Sequence, residues 1–344
     1  RFVWMLVLMS FVFAGCTPAA APAPAAPQPA EPAVLTVMTH DSFAVSEDVV
    51  AAFEEANQVK VIFLKSGDSG SALNRAILTK GNPQADVFYG VDNTFLSRAL
   101  KEDIFEPYAS PLLEKIPAEF RADAQNRALP VDFGDVCLNY DIAALEAKGL
   151  AVPQSLDDLI RPEYRGLLVV ENPAVSSPGL AFLLATVAQY GEEGYLEYWK
   201  KLRANETAVV SDWTTAYYTN FSGSSGKGPQ PLVVSYASSP AAEVVFADPP
   251  VDQAITGSVT APGTCFRQIE FVGILKGTPN RALAEKFVDY MLSVPFQEDM
   301  PLQMFVYPVN SEAKLPEVYE KYAQQAQQPA QLDPERIAAN RDAW

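Results

Sequence analysis

The stretch Val34-Leu-Thr-Val-Met-Thr39, followed by His40-Asp-Ser-Phe43, predicts the fold of this chain. Its apolar and β-branched residues are typical of a buried strand, and polar residues follow at the carboxyl end. Residues 46–56 then have the spacing of an amphipathic helix, and residues 59–64 predict a second strand. Because strands and helices alternate in this way, we expect an α/β fold with mostly parallel strands.

The same alternation continues along the chain in two series. Further strands are predicted at 85–89, 167–170, 207–210, 232–236 and 267–275, and further helices at 71–78, 95–100, 180–190 and 281–292. Two series of βα units predict two lobes that close on a ligand by a hinge motion. The first would contain residues 34–131 with about 263–300, and the second residues 132–262 with about 301–344.

The composition excludes several classes of function. The 344 residues include 42 acidic and 25 basic side chains, which gives a formal charge of −17. Nucleic-acid binding needs clustered Lys and Arg, so it is not expected. A single histidine, His40, and three cysteines argue against a Cys/His metal site. We therefore expect no metal, no cofactor and no nucleic-acid partner.

The N-terminal residues have the pattern of an export signal. Residues 1–15 combine one positive charge with an apolar run, and Val12-Phe-Ala-Gly-Cys16 resembles a bacterial lipobox. Of the 17 residues from 17 to 33, 14 are Pro or Ala, which is typical of an extended tether. These features predict a signal peptide at 1–15, lipidation of Cys16, and a domain held outside the cytoplasmic membrane by lipid alone.

Cys137 and Cys265 lie in strand-like stretches of the exported domain. A structural disulfide, a pair of buried free thiols and a catalytic thiol all fit the sequence.

Polar residues that follow predicted strands are the first candidates for a binding site. His40 and Asp41 follow one strand, and Asp92 and Asn93 follow another. Ligands of such sheets bind beyond the carboxyl ends of the strands. A carboxylate at Asp92 suits a cationic or amine-bearing ligand, and it could instead cap the helix that begins near Thr94.

Two further groups complete the candidate site. Ser176-Ser-Pro-Gly179 opens a predicted helix, so its hydroxyl and amide groups suit a phosphate or carboxylate, or simply cap the helix. Aromatic residues recur after strands, where their faces can stack on ligand rings or fill the core. They are Trp213, Tyr217, Tyr218, Tyr236, Phe305 and Tyr307.

Six segments in order resemble the periplasmic thiamine-binding proteins of ABC importers. They are Thr39-His-Asp-Ser-Phe43, Gly90-Val-Asp-Asn93, Ser176-Ser-Pro-Gly-Leu180, Asp212-Trp-Thr-Thr-Ala-Tyr217, Ser235-Tyr-Ala-Ser-Ser-Pro240 and Tyr307-Pro-Val309. The resemblance covers about residues 34–344. It implies a two-lobed type II periplasmic-binding fold and a monomer without catalytic activity, which delivers thiamine or its phosphates to a membrane permease and its ATPase.

The resemblance also implies roles for individual residues. Asp92 would meet the charged or amino end of the ligand, and Ser176 and Ser177 the hydroxyethyl or phosphate end. The residues that would pack against its rings are Trp213, Tyr217 and Tyr236. The sequence departs from the family at His40 and Ala242, where aromatic residues are common, and at Phe305, where tryptophan is frequent.

The same resemblance suggests where the lobes would hinge. The crossings would lie near residues 132–137 and 263–268, and a Cys137–Cys265 bridge would tie the two crossing strands together.

Two alternatives from similar folds stay open at this level. Ferric-ion-binding proteins use a Tyr-Tyr pair with other O and N ligands, and Tyr217-Tyr218 with His40 superficially fits that set. A thiaminase-like enzyme would need a free nucleophilic thiol at Cys137 or Cys265.

Overall fold

In a computed structural model of the chain, residues 32–225 and 228–344 are described. The predicted signal peptide, Cys16 and the tether up to residue 31 lie outside the described residues. None of the helices in the described ranges is both long and apolar enough to span a bilayer.

The predicted strands occur close to where the sequence places them. The strands of the structure are β1 Ala33–Thr39, β2 Val59–Lys65, β3 Val87–Asp92, β4 Phe105–Glu106, β5 Leu129–Asp141, β6 Leu168–Glu171, β7 Ala208–Val210, β8 Leu232–Tyr236, β9 Thr256–Val259, β10 Phe266–Leu275 and β11 Tyr307–Pro308. Of these, β4, β9 and β11 are additional short strands.

The helices alternate with these strands over most of the chain. They are α1 Glu47–Asn57, α2 Ser69–Leu78, α3 Leu96–Lys101, α4 Ile142–Ala147, α5 Ser177–Ala204, α6 Trp213–Thr215, α7 Ser222–Ser225, α8 Ser239–Val245, α9 Arg281–Leu292, α10 Val294–Met304, α11 Glu317–Tyr322 and α12 Pro334–Asn340. Short 3-10 helices cover Pro111–Lys115, Ala118–Phe120, Leu156–Ile160 and Pro162–Tyr164, and a π-helical turn covers Ala216–Asn220.

In the described ranges the strands form one sheet, in the order β2-β1-β3-β10-β5-β8-β6-β7. Parallel pairing holds for β2-β1-β3 at one end and for β8-β6-β7 at the other. The middle of the sheet is antiparallel, because β10 runs against both β3 and β5, and β5 runs against β8. The expectation of a mostly parallel sheet was therefore wrong. It did not include the antiparallel pairing of β5 and β10, the two long strands that join the series of βα units.

These two long strands also carry the disulfide. Cys137 in β5 and Cys265, directly before β10, are bonded, with a Cα–Cα distance of 4.4 Å. Phe266 pairs with Val136 in the adjacent register position, so the bond ties the two crossing strands directly. Both cysteines are buried.

The helices cover the sheet through apolar faces. In α9 the buried side chains are Ala284, Phe287, Val288, Met291 and Leu292, as its amphipathic spacing predicts. The ring of Phe287 meets Phe53 of α1 edge-on at 5.0 Å. Burial of this apolar surface is the main stabilising contribution to the fold.

Helix α5 is longer than its sequence pattern predicts. It is two helical segments that meet at Gly191, whose φ of 72° is unfavourable for a residue with a Cβ atom. The first segment begins at Ser177, after the turn that follows β6, and its first two residues, Ser177 and Pro178, line the pocket described below.

Candidate functional site

A pocket with a volume of about 250 Å³ lies where several strands end. Seven of the residues predicted from sequence line it: His40, Asp41, Ser177, Trp213, Tyr218, Tyr236 and Phe305. Most of them directly follow a strand or end it, in agreement with the rule that ligands bind at strand ends. Phe305 instead follows helix α10.

The indole of Trp213 forms a flat aromatic wall of the pocket. One face stacks on the buried ring of Tyr217, with the centroids 4.9 Å apart and the planes 15° apart. The indole N–H donates a hydrogen bond to Ser235 Oγ at 3.0 Å, and Phe305 meets the ring edge-on at 6.2 Å. These contacts hold Trp213 in one orientation, as a rigid stacking surface requires.

Asp68 also lines the pocket, although it is not among the residues predicted from the sequence. It caps helix α2 by accepting the Ser69 N–H at 2.8 Å, and it lies 3.3 Å from the Trp213 backbone nitrogen. Burial raises the pKa of Asp68. A signal for this residue was available, because Ser66-Gly-Asp-Ser-Gly70 follows strand β2 as the other site segments follow theirs.

His40 lies in the pocket wall beside Glu270. Its Nδ1 is 2.9 Å from Ser42 Oγ, and its Nε2 is 3.3 Å from Glu270 Oε1. The imidazole packs so closely over Gly90 that a Cβ atom there would lie 2.4 Å from the ring. Burial lowers the pKa of His40, which favours the neutral imidazole.

Glu270 is a functional candidate that sequence reasoning missed. It lies in the middle of strand β10, lines the pocket, and is only 3% exposed. Burial raises its pKa to about 8. No strand end or motif marks this position, and its only signal is an acidic side chain in the middle of a largely apolar strand.

Asp92 and Asn93 do not line the pocket, which corrects the sequence expectation. Asp92 is fully buried, accepts the Thr94 N–H at 2.6 Å, and accepts a hydrogen bond from the Ser177 hydroxyl. Burial raises its pKa to about 6. Asn93 bonds the backbone of β10 through its side-chain amide. The side chains of both residues thus hold the local structure together.

Three other predicted residues also lie outside the pocket lining. Ser176 is fully buried at the N-cap position of α5. Tyr217 is fully buried and supports Trp213 from the face opposite the cavity. Tyr307 pairs with β5 and stacks on Phe133 at 5.4 Å. For the two tyrosines, side-chain packing, which the sequence pattern does not encode, holds each ring against neighbouring aromatic residues.

The pocket therefore combines aromatic surfaces with negative charge. Its lining includes the carboxyl groups of Asp41, Asp68 and Glu270 and, among the described residues, no Lys or Arg. The described ranges also contain no cluster of three or more His, Cys, Asp and Glu side chains suited to a metal ion. Such a lining favours a small aromatic ligand that carries positive charge.

Comparison with known proteins identifies the class to which this architecture belongs. Residues 82–327 match the family described as bacterial extracellular solute-binding protein. This chain belongs to that family. It is the solute-binding component of an ABC importer, which acts outside the cytoplasmic membrane and has no catalytic role.

Individual relatives agree with this assignment. This solute-binding protein is 31% identical to the thiamine-binding periplasmic protein of Salmonella typhimurium over 93% of each chain. The solved structure of a periplasmic thiamin binding protein is similar at a TM-score of 0.79 and 29% identity, covering 90% of this chain and 93% of that one.

A more distant structure shows the fold alone. The ferric binding protein from Campylobacter jejuni is 17% identical at a TM-score of 0.70, covering 90% of this chain and 96% of that one. Together these structures establish the mixed α/β, type II periplasmic-binding fold for this solute-binding protein.

Proposed function

We propose that this chain captures thiamine, or a thiamine phosphate, and delivers it to a membrane permease. The observation that carries the proposal is the pocket lining, in which aromatic rings and three carboxyl groups occur together without a basic side chain among the described residues. The similar proteins described above are thiamine-binding proteins, which supports the same ligand.

The chemistry of thiamine suits this lining. Its thiazolium ring is a permanent aromatic cation, and its aminopyrimidine ring carries hydrogen-bond donors and acceptors. Trp213, Tyr218, Tyr236 and Phe305 offer faces and edges for both rings. Asp68 and Glu270 offer negative charge and acceptors to the cation and the amino group.

The two alternatives have less support. An iron site based on Tyr217-Tyr218 needs both phenol groups to face the ligand, whereas Tyr217 is fully buried against Trp213. A thiaminase-like activity needs a free thiol, whereas Cys137 and Cys265 are bonded to each other.

The pocket is built from both proposed lobes, residues 34–131 with about 263–300 and residues 132–262 with about 301–344. His40 and Asp68 come from the first, and Trp213 and Tyr236 from the second. The connections through β5 and β10 are the natural hinge, since these strands run through the middle of the sheet. Ligand capture would then close the lobes around the pocket.

Lipid attachment at Cys16 is the remaining part of the proposal. In a bacterium supplied with labelled palmitate, the protein should incorporate label, and its processed form should begin at Cys16 because the cysteine thiol carries the lipid. The Cys16→Ala variant should incorporate none, although Cys137 and Cys265 are still present in it. Equal labelling of the two proteins would contradict the anchor.

Calorimetric titration of the refolded, ligand-free protein tests the ligand directly. We expect micromolar or tighter binding of thiamine, and comparison with the mono- and diphosphate would rank the three forms. Ferric citrate serves as the competing ligand. Heat from iron without heat from thiamine would replace the proposal with iron transport.

The Asp68→Asn variant should weaken thiamine binding by about 1–3 kcal/mol, because a charged hydrogen-bond acceptor facing the cation is lost. This corresponds to roughly a 5- to 150-fold rise in Kd. Asn still caps a helix, so the thermal stability should change little. Asp333→Asn is the matched control, since Asp333 caps α12 and does not line the pocket. Equal affinities of the two variants would exclude Asp68 from the site.

A further inference from the structure

Glu270 lies in a buried cluster that joins the pocket to the crossing strands. It pairs in register with Asp132 of β5 on one side and with Asp92 of β3 on the other. The Tyr89 hydroxyl lies 2.6 Å from Asp132 Oδ2 and 3.2 Å from Glu270 Oε2. Glu270 is the member of this cluster that lines the pocket, whereas Asp132 does not reach it.

The cluster contains several acidic groups and almost no positive charge that could stabilise their ionised forms. The titratable groups that face Glu270 from the neighbouring elements are His40, Asp68, Tyr89, Asp92, Asp132 and Tyr236. In the described part of the chain, His40 is the only one of these that can carry positive charge, and burial lowers its pKa.

Two buried carboxyl groups this close do not both ionise at neutral pH without a cation. Burial raises the pKa of Glu270 to about 8, and burial together with Glu270 raises that of Asp132 well above its usual range. In the empty pocket at neutral pH, the Glu270–Asp132 pair therefore holds at least one proton.

We propose that Glu270 selects positively charged ligands, and that the charge of the ligand displaces a proton held by Glu270 and Asp132. This inference rests on the proposed function, because it names the residue that would recognise the positive charge of the thiazolium ring. A cation in the pocket stabilises the ionised carboxylate, and the released proton passes to the solvent. A neutral ligand of the same shape cannot stabilise the ionised carboxylate in this way.

Proton release can be counted on the unmodified protein. Calorimetry of thiamine binding at pH 7, in two buffers with different ionisation enthalpies, should show release of between half and one proton per thiamine bound. The affinity should rise by up to about tenfold per pH unit between pH 6 and 8. Below the pKa of Glu270 thiamine must displace a proton, whereas above it the carboxylate is already ionised. Binding without proton release and without this pH dependence would overturn the inference.

Charge selection is tested with a thiamine analogue in which a neutral thiophene replaces the thiazolium ring. The unmodified protein should prefer thiamine over this analogue by at least tenfold. Glu270→Gln, which is nearly isosteric, should lose most of this preference and release no proton. Glu171→Gln is the matched control, because Glu171 is equally buried but does not line the pocket, and this variant should behave as the parent does.

The outcomes separate the two proposals. Thiamine binding with an unchanged preference in Glu270→Gln would overturn the role of Glu270 and leave thiamine capture intact. Loss of the preference in both Glu variants would also overturn it, because the effect would then not be specific to the pocket. Absence of thiamine binding by the unmodified protein would instead overturn the proposed function.

Discussion

Substituting both Cys137 and Cys265 with Ala is expected to lower the free energy of unfolding by about 3–5 kcal/mol. The bond closes a loop with a sequence separation of 128 residues, so its loss frees a large part of the unfolded chain. It also joins β5 and β10 in the middle of the sheet, where both thiols are buried. Urea denaturation, followed by tryptophan fluorescence, measures the change.

Reduction of the unmodified protein provides the control for this prediction. A reducing agent should shift its denaturation midpoint toward that of the double variant, and should leave the double variant unchanged. Equal midpoints of the unmodified protein and the double variant in the absence of the reducing agent would contradict the structural role of the bond. So would mass mapping of the unmodified protein that finds both thiols free.

The same variant tests the proposed closure of the lobes. Since the bond ties the crossing strands to each other and not to the pocket rim, it should not restrict hinge motion. Small-angle X-ray scattering should therefore show a smaller radius of gyration with thiamine, both for the parent and for the double variant. An unchanged radius in both proteins would argue against closure on thiamine.

Trp213→Ala should have the second large effect, because Trp213 is both a pocket wall and part of the core. Loss of a stacking surface should weaken thiamine binding by about 1–3 kcal/mol, by analogy with the stacking of bases on aromatic side chains. Truncation of a side chain that is only 8% exposed should also lower the free energy of unfolding by about 3–5 kcal/mol. Calorimetry and urea denaturation measure the two effects separately.

Trp199→Ala is the matched control for this variant. The Trp199 indole also donates a hydrogen bond to a hydroxyl at 3.0 Å, to Thr186, and also meets an aromatic ring, that of Phe182. It does not line the pocket, so its removal should reduce stability while thiamine affinity is retained. Equal affinity losses in the two variants would mean that Trp213 acts through folding and not through contact with the ligand.

The secondary structure was largely predictable because it depends on local patterns. The predicted helix at 281–292 and the predicted strand at 232–236 match α9 and β8 in their bounds. The antiparallel centre of the sheet was not predictable in the same way. The pairing of β10 with β5 joins residues more than a hundred positions apart, and no periodicity within either strand specifies the partner.

The candidate site was likewise predictable only in part. His40, Asp41, Trp213 and Tyr236 were predicted because polar and aromatic residues at strand ends mark the ligand side of an α/β sheet, and they line the pocket. Ser177, which was predicted from a helix start, lines it as well. The same rule also selected Asp92 and Asn93. Asp92 accepts hydrogen bonds from Thr94 and Ser177, and Asn93 donates one to the backbone of β10. Sequence position places a residue near the cleft, but it does not show what the side chain bonds.

The sequence by itself determined the α/β class, the order of its elements, the acidic character of the protein and the strand ends where the pocket lies. These properties follow from composition and from periodicity within short segments. Only the tertiary structure decided that Asp68 and Glu270 face the pocket, and that Glu270 lies opposite Asp132. The register between distant strands fixes these neighbours, and burial among them, not residue type alone, sets the charge that each carboxyl group carries.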